Sequence, residues 1–186
     1  MDFSLCLCYA YKMMRYLKPI LKPFSFLPAI FMLYVIFQFS AQPGEVSGNL
    51  SWRATHKLLE ITCESFETGW SSAELNLYTE MLHPYVRKLA HVTEYFLLAV
   101  CVSFPLYVYG LRGIALTILA GGFCVACACL DEYHQSFVAG RGPSKRDVMI
   151  DSIGILIGVI LVRIVCFIGR ITIFRERKPR RKQIRR

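Results

Sequence analysis

Charge is scarce in this chain: only 19% of its 186 residues are Asp, Glu, Lys or Arg, and 55% are hydrophobic. That balance excludes an ordinary soluble domain, because the apolar residues are clumped into long runs rather than spread periodically. A secretory signal peptide is not expected from the first residues. The first 22 residues mix Phe, Leu, Tyr and Met with Lys12, Arg15 and Lys18. They lack the basic start, apolar core and small-residue cleavage site of such a peptide. A short interfacial helix fits them better. No Ser or Cys stands in an elbow or Gly-rich nucleophile motif, so a covalent mechanism has no support. No internal repeat of the kind that builds many transporters is visible. Eight cysteines are present, but Cys101, Cys124, Cys127, Cys129 and Cys166 sit inside apolar runs and Cys6 and Cys8 precede the first run. Cys63 therefore lacks an obvious intrachain partner, and a disulfide framework is excluded.

What is present is length of apolar sequence. Four runs, at about 24–41, 89–109, 114–130 and 148–168, approach the roughly 20 residues that cross a hydrocarbon core. The third is short, but helix can continue through Asp131–Phe137 and complete it. The expected fold class is all-α: a polytopic bundle of four transmembrane helices. It would follow an N-terminal arm of residues 1–23, carry an outer loop at 44–84 and end in a basic tail from 169 to 186.

The charges orient this bundle. Alternate segments place 15 of the 22 basic residues on one side, nine of them in the tail from Arg170, and 11 of the 13 acids on the other. The positive-inside rule then puts both termini in the cytoplasm and the acidic segments at the outer face. The formal charge of +9 is thereby explained without nucleic acid, which is not an expected partner. The tail is expected on anionic headgroups.

Within the first run Pro28 is expected to be tolerated by neighbouring helices, and Ser40 and Gln42 at its exit either cap the helix or face other polar groups. In segment 44–84, Ser51 reads as an N-cap for a helix over 52–63, and one or two amphipathic helices are expected to fold over the bundle mouth. Gly121, Gly122, Ala126 and Ala128 read as close-packing positions, as do Gly154 and Gly158 in a GxxxG pattern.

Three polar clusters border these runs. Arg87, His91 and Glu94 are spaced i, i+4, i+7 on one helical face, with Lys88 beside them. Asp131, His134 and Gln135 share a face at the end of the third run, with Glu132 adjacent and Arg141 in the Gly-Pro loop that follows. Asp147 and Asp151 open the fourth run, where Asp147 also suits an N-cap or first-turn acid. Ionisable groups at a bilayer rim are costly and tend to have a partner or a function. Arg87 and Arg141 suit bidentate grip of phosphate oxygens, with His91 or His134 placed for proton transfer among Glu94, Asp131 and Glu132. The chemistry points to an amphiphilic or phosphate-bearing envelope lipid or cell-wall precursor. Three alternatives stay open: a divalent metal site supplied by the HxxE and DxxH pairs, a self-neutralising network that only fixes helix packing, and a homo-oligomeric transporter. No cofactor is otherwise implied, and whether the protein is an enzyme is open.

At these residues the chain resembles the VanZ-like family of bacterial membrane proteins. The likeness is carried by Phe39-Ser40-Ala41-Gln42, Arg87-Lys88-Leu89-Ala90-His91 with Glu94-Tyr95, Asp131-Glu132-Tyr133-His134-Gln135 with Phe137, Gly140-Arg141, and Asp147 with Gly154 and Gly158. It covers about residues 31–165. Two positions depart: Ala139 stands where a Pro often precedes Gly-Arg, and Asp151 stands where the family tends to have Asn. The resemblance implies a multi-pass protein of the bacterial cell membrane, in a family whose namesake is linked to glycopeptide (teicoplanin) resistance.

Overall fold

A computed structural model describes residues 22–67 and 69–172. The expected N-terminal arm up to residue 21, with Cys6 and Cys8, and the tail from residue 173 lie outside the described residues. The rest is helical. A 3-10 turn, Pro23–Phe26, leads into α1, Leu27–Ser40; α2 is Gly44–Phe66, α3 is Ser72–Val108, α4 is Gly113–Gln135 and α5 is Lys145–Thr172. The turn with α1, and α3, α4 and α5 singly, are long and apolar enough to cross a membrane. Together they form an all-α polytopic membrane bundle.

Several local expectations are corrected. Pro28 does not interrupt a helix; it lies at the first positions of α1, where the missing N–H would have no partner anyway. Ser51 is not an N-cap: α2 already begins at Gly44, and the Ser51 hydroxyl donates to the Gly48 carbonyl 2.8 Å away inside the helix. Segment 44–84 carries two helical stretches, within the one or two expected, but the second is not a separate helix. Its second half is the start of α3, which runs unbroken for 37 residues through Pro84 and Pro105. The fourth membrane helix, α5, runs from Lys145 to Thr172.

The ends of these helices have local causes. Glu67 adopts the left-handed conformation (φ 49°) and its N–H returns to the Cys63 carbonyl, closing α2. Ser71 and Glu74 then form a capping box that starts α3. The turn between α3 and α4 uses positive φ at Gly110 and Gly113, 101° and 60°, angles that a Cβ would resist.

α3 packs against every other helix. With α2 it forms a hairpin in which Thr55 and Thr79 are fully buried. Their hydroxyls donate to the carbonyls of Ser51 and Leu75, each four residues back, so neither is left unsatisfied. Trp52 Nε1 donates to Glu80 Oε1 across the same hairpin at 2.8 Å.

Lipid tails offer helices no hydrophobic gain on association, so close van der Waals packing must hold the bundle. The α3–α5 seam supplies it. A Cβ on Gly154 would overlap the Val92 carbonyl, and one on Gly158 would sit 2.6 Å from the Phe96 carbonyl oxygen. The GxxxG pair thus brings two backbones together, as expected. Gly121 and Gly122 do not act this way; a Cβ on either meets nothing within 4 Å. The packed stripe of α4 is instead Leu116, Ala120, Cys124, Ala128 and Glu132, a strict four-residue row. Of these, Ala120, Cys124 and Ala128 join Tyr95, Leu98, Ala99 and Val102 of α3 and Ile155 and Val159 of α5 in the core, while large apolar residues such as Phe31, Ile118 and Ile164 are exposed. All six described cysteines are free.

Candidate functional site

The polar clusters meet at the end of the bundle where α4 stops and α5 begins. His83, Arg87 and His91 fall four residues apart on α3 and reach this end on one face. Glu132 and Gln135 complete the buried row of α4. Loop 136–144 folds back onto the start of α2: the Gly44 N–H donates to the Ala139 carbonyl at 2.9 Å, and a Cβ on Gly44 would overlap the Gly140 carbonyl. Its far end, just before α5, is pinned to α4, because Glu132 Oε2 accepts from the Ser144 N–H at 2.8 Å.

Between these parts lies a cavity of about 310 Å³. From α3 it is lined by His83, Pro84, Arg87, Lys88 and His91; α4 adds Glu132 and Gln135, the loop Arg141 between Gly140 and Gly142, and α5 Asp147, Ile150 and Asp151. Three guanidinium or ammonium groups and three carboxylates therefore face one space. Lys88 Nζ and Asp147 Oδ1 pair at 3.0 Å, both half-exposed. His91 Nδ1 lies 3.4 Å from Glu94 Oε2. Arg141 donates through Nη2 to the Phe39 carbonyl at 3.0 Å, tying the loop to the end of α1. Its Nε and Nη1 are buried without a partner among the described residues. Burial, and after it the neighbouring Arg87, draw the Arg141 guanidinium below its ordinary value, while Asp131, Glu132 and Glu94 act the other way.

α4 divides its own polar residues. Glu132 and Gln135 face this cavity, whereas Asp131 and His134 turn to a second hollow of about 310 Å³ walled by Leu33, Ile36 and Phe37 of α1 and by Tyr95, Cys127 and Leu130. The single face expected for Asp131, His134 and Gln135 is thus split. Gln135 still bridges the halves, donating to Asp131 Oδ2 at 2.9 Å. In the hollow, His134 packs on Phe37 with ring centroids 5.0 Å apart, and Tyr95 Oη and His134 Nδ1 are buried without a described partner. So is Asp151 Oδ1.

Of the remaining expected residues, Ser40 is buried beside the Phe39 carbonyl, its hydroxyl caps nothing, and Gln42 lines a separate depression with Val46, Asn49 and Arg53. Glu94 touches His91 from outside the cavity lining. His83 is the addition. It stands four residues before Arg87, but a loop boundary at Pro84 hides that register. No three His, Cys, Asp or Glu side chains among the described residues form a group that could hold a metal ion.

Four apolar helices around a polar cavity at one end define a polytopic membrane protein of the helical-bundle class. The chain matches the VanZ/LLP1 family model over residues 25–167 and belongs to that family. No curated protein and no solved structure matched it.

Proposed function

We propose that this protein acts at the outer face of the bacterial cell membrane, on an amphiphilic, phosphate-bearing ligand of the envelope such as a lipid-linked cell-wall precursor. On this reading it contributes to glycopeptide (teicoplanin-type) resistance. The observation that carries the reading is the pair of arginines. Arg87 lines the cavity with no carboxylate within ion-pair distance among the described residues, and Arg141 has two buried, unpartnered nitrogens beside it. Guanidinium groups so placed suit bidentate contacts to phosphate oxygens. His91, Glu94 and Glu132 are the groups within reach for moving a proton, and Lys88, Gln135, Asp147 and Asp151 complete the polar wall. Beyond Gln135, the hollow holding Asp131 and His134 has apolar walls suited to a hydrocarbon portion.

A second reading, a non-catalytic scaffold, has its own support. Glu94, Asp131, Glu132 and Asp147 each already have a partner inside the protein, as a network that only sets helix packing requires. The two readings separate by experiment. Teicoplanin susceptibility would be compared in cells with the gene, without it, and with Arg87→Gln or Arg141→Gln, with membrane insertion checked by blotting. The ligand reading expects the gene to lower susceptibility and both variants to restore it while still inserting. Equal susceptibility in all four strains removes the resistance role, and resistance that survives both variants favours the scaffold.

A further inference from the structure

The opposite end of the bundle carries a larger cavity, about 480 Å³, that the proposed function does not use. Its polar groups are Arg112, Arg163 and Arg170, set against Tyr107, Leu116 and Phe167. Two of the guanidinium groups are held in place. Arg112 lies 5.4 Å from the centroid of the Tyr107 ring, a cation–π arrangement. The Tyr107 hydroxyl in turn donates to the Cys166 carbonyl at 3.5 Å. Arg163 donates through Nη1 to Thr117 Oγ1 at 2.9 Å, bridging α5 to α4. No carboxylate among the described residues answers these charges, since every described Asp and Glu lies between residues 45 and 94 or between 131 and 151. The first turn of α4 also borders the cavity through Gly113 and Leu116; it has no side-chain cap and no acid to meet its free N–H groups.

Scattered basic residues at a membrane face need no ligand. Here, however, two arginines of α5 and one from the turn before α4 line one concave space whose remaining walls are apolar. A cationic rim above an apolar floor between membrane helices matches an amphiphile with an anionic head. We propose that this cavity binds an acidic phospholipid of the leaflet in which it opens. Arg112, Arg163 and Arg170 hold the phosphodiester, and the acyl chains lie along Leu116 and Phe167.

The test uses the full-length protein in detergent micelles, titrated with phosphatidylglycerol or phosphatidylcholine and read by native mass spectrometry. Phosphatidylglycerol is expected to bind roughly tenfold or more tightly than phosphatidylcholine, given three basic contacts. Arg112→Gln/Arg163→Gln/Arg170→Gln should abolish that preference. Neutralising the eight basic residues from Arg175 onward should leave it in place. If the triple variant does not purify as a monodisperse species, Arg163→Gln alone should reduce the preference severalfold. Retention of the preference in the arginine variants, or its loss on neutralising the tail, overturns the proposal. Displacement of the lipid by excess inorganic phosphate would also overturn it, because the site would then take free phosphate.

Discussion

The α3–α5 seam can be tested one methyl group at a time. In Gly158→Ala the new Cβ would stand 2.6 Å from the Phe96 carbonyl oxygen and 3.0 Å from the Ala99 methyl. Ordinary contact begins near 3.4 Å, so the helices must separate by roughly 0.8 Å, enough to forfeit a quarter to a half of each dispersion contact along the seam. The obstacle is backbone and has no rotamer to change. Overpacking of this kind costs about 1–3 kcal/mol, offset by up to about 1 kcal/mol of helix propensity gained over Gly. The net expectation is on the order of 2 kcal/mol of destabilisation, or about 4–8 °C in Tm for a chain of this size. Gly154→Ala, which meets the Val92 carbonyl more closely still, should cost at least as much. Gly121→Ala and Gly122→Ala meet open space, so they keep only the propensity gain and should be neutral or slightly stabilising. Thermal unfolding of all four variants in one detergent, followed by circular dichroism, ranks them. Equal Tm values across the set, or the reverse order, would refute the claim that backbone contact at Gly154 and Gly158 holds the bundle.

Three further expectations concern the polar parts. A double-mutant cycle on Lys88→Ala and Asp147→Ala should give a coupling of about 0.5–1 kcal/mol, because both side chains are half-exposed and screened; a value well above this would mean that the pair is desolvated in the membrane. Ser71→Ala should cost about 1 kcal/mol of local stability at the start of α3, read as faster hydrogen exchange at the amides of residues 72–75. The Ser71 backbone N–H, and after it the hydroxyl, hold the Glu74 carboxyl below its ordinary value. A depressed carboxylate stabilises above its unfolded pKa and loses that contribution as pH falls through the folded value, so protection at these amides should fade in acid, and Glu74→Gln should remove that pH dependence. Gly44→Ala, whose Cβ would overlap the Gly140 carbonyl, should push loop 136–144 off the start of α2 and weaken the Arg141–Phe39 contact; cysteine-accessibility labelling at the half-buried position 138 in a Val138→Cys background would report the loosening.

The membrane architecture is legible in the sequence because four apolar runs of bilayer length leave few alternatives. Convergence of Arg87, Lys88, His91, Glu132, Arg141, Asp147 and Asp151 is legible too, since helical spacing places each near the same end of its run. What the sequence hides is direction around each helix. A four-residue row and a pair of adjacent glycines are both plausible packing faces, and only the neighbours decide that Ala120, Cys124 and Ala128 turn inward while Gly121 and Gly122 do not. The same ambiguity conceals the division of Asp131 and His134 from Glu132 and Gln135. Ser51 misleads for a different reason. Ser, Thr and Asn serve equally at helix starts and inside helices when the hydroxyl can reach a carbonyl of the preceding turn, and Pro43-Gly44 is the earlier start. Pro84 reads as a boundary by local rules, yet α2 packs along the segment before it and holds that stretch in the same helix.

The length of α3 has a mechanical meaning. At 1.5 Å per residue its 37 residues extend roughly 55 Å, against about 30 Å of hydrocarbon, so a stiff mast stands clear of the lipid with α2 lashed to its side. The mast and the arginine wall of the cavity are one uninterrupted rod. Anything that seized the projecting hairpin would carry His83, Arg87 and His91 with it, because a single helix bears all three.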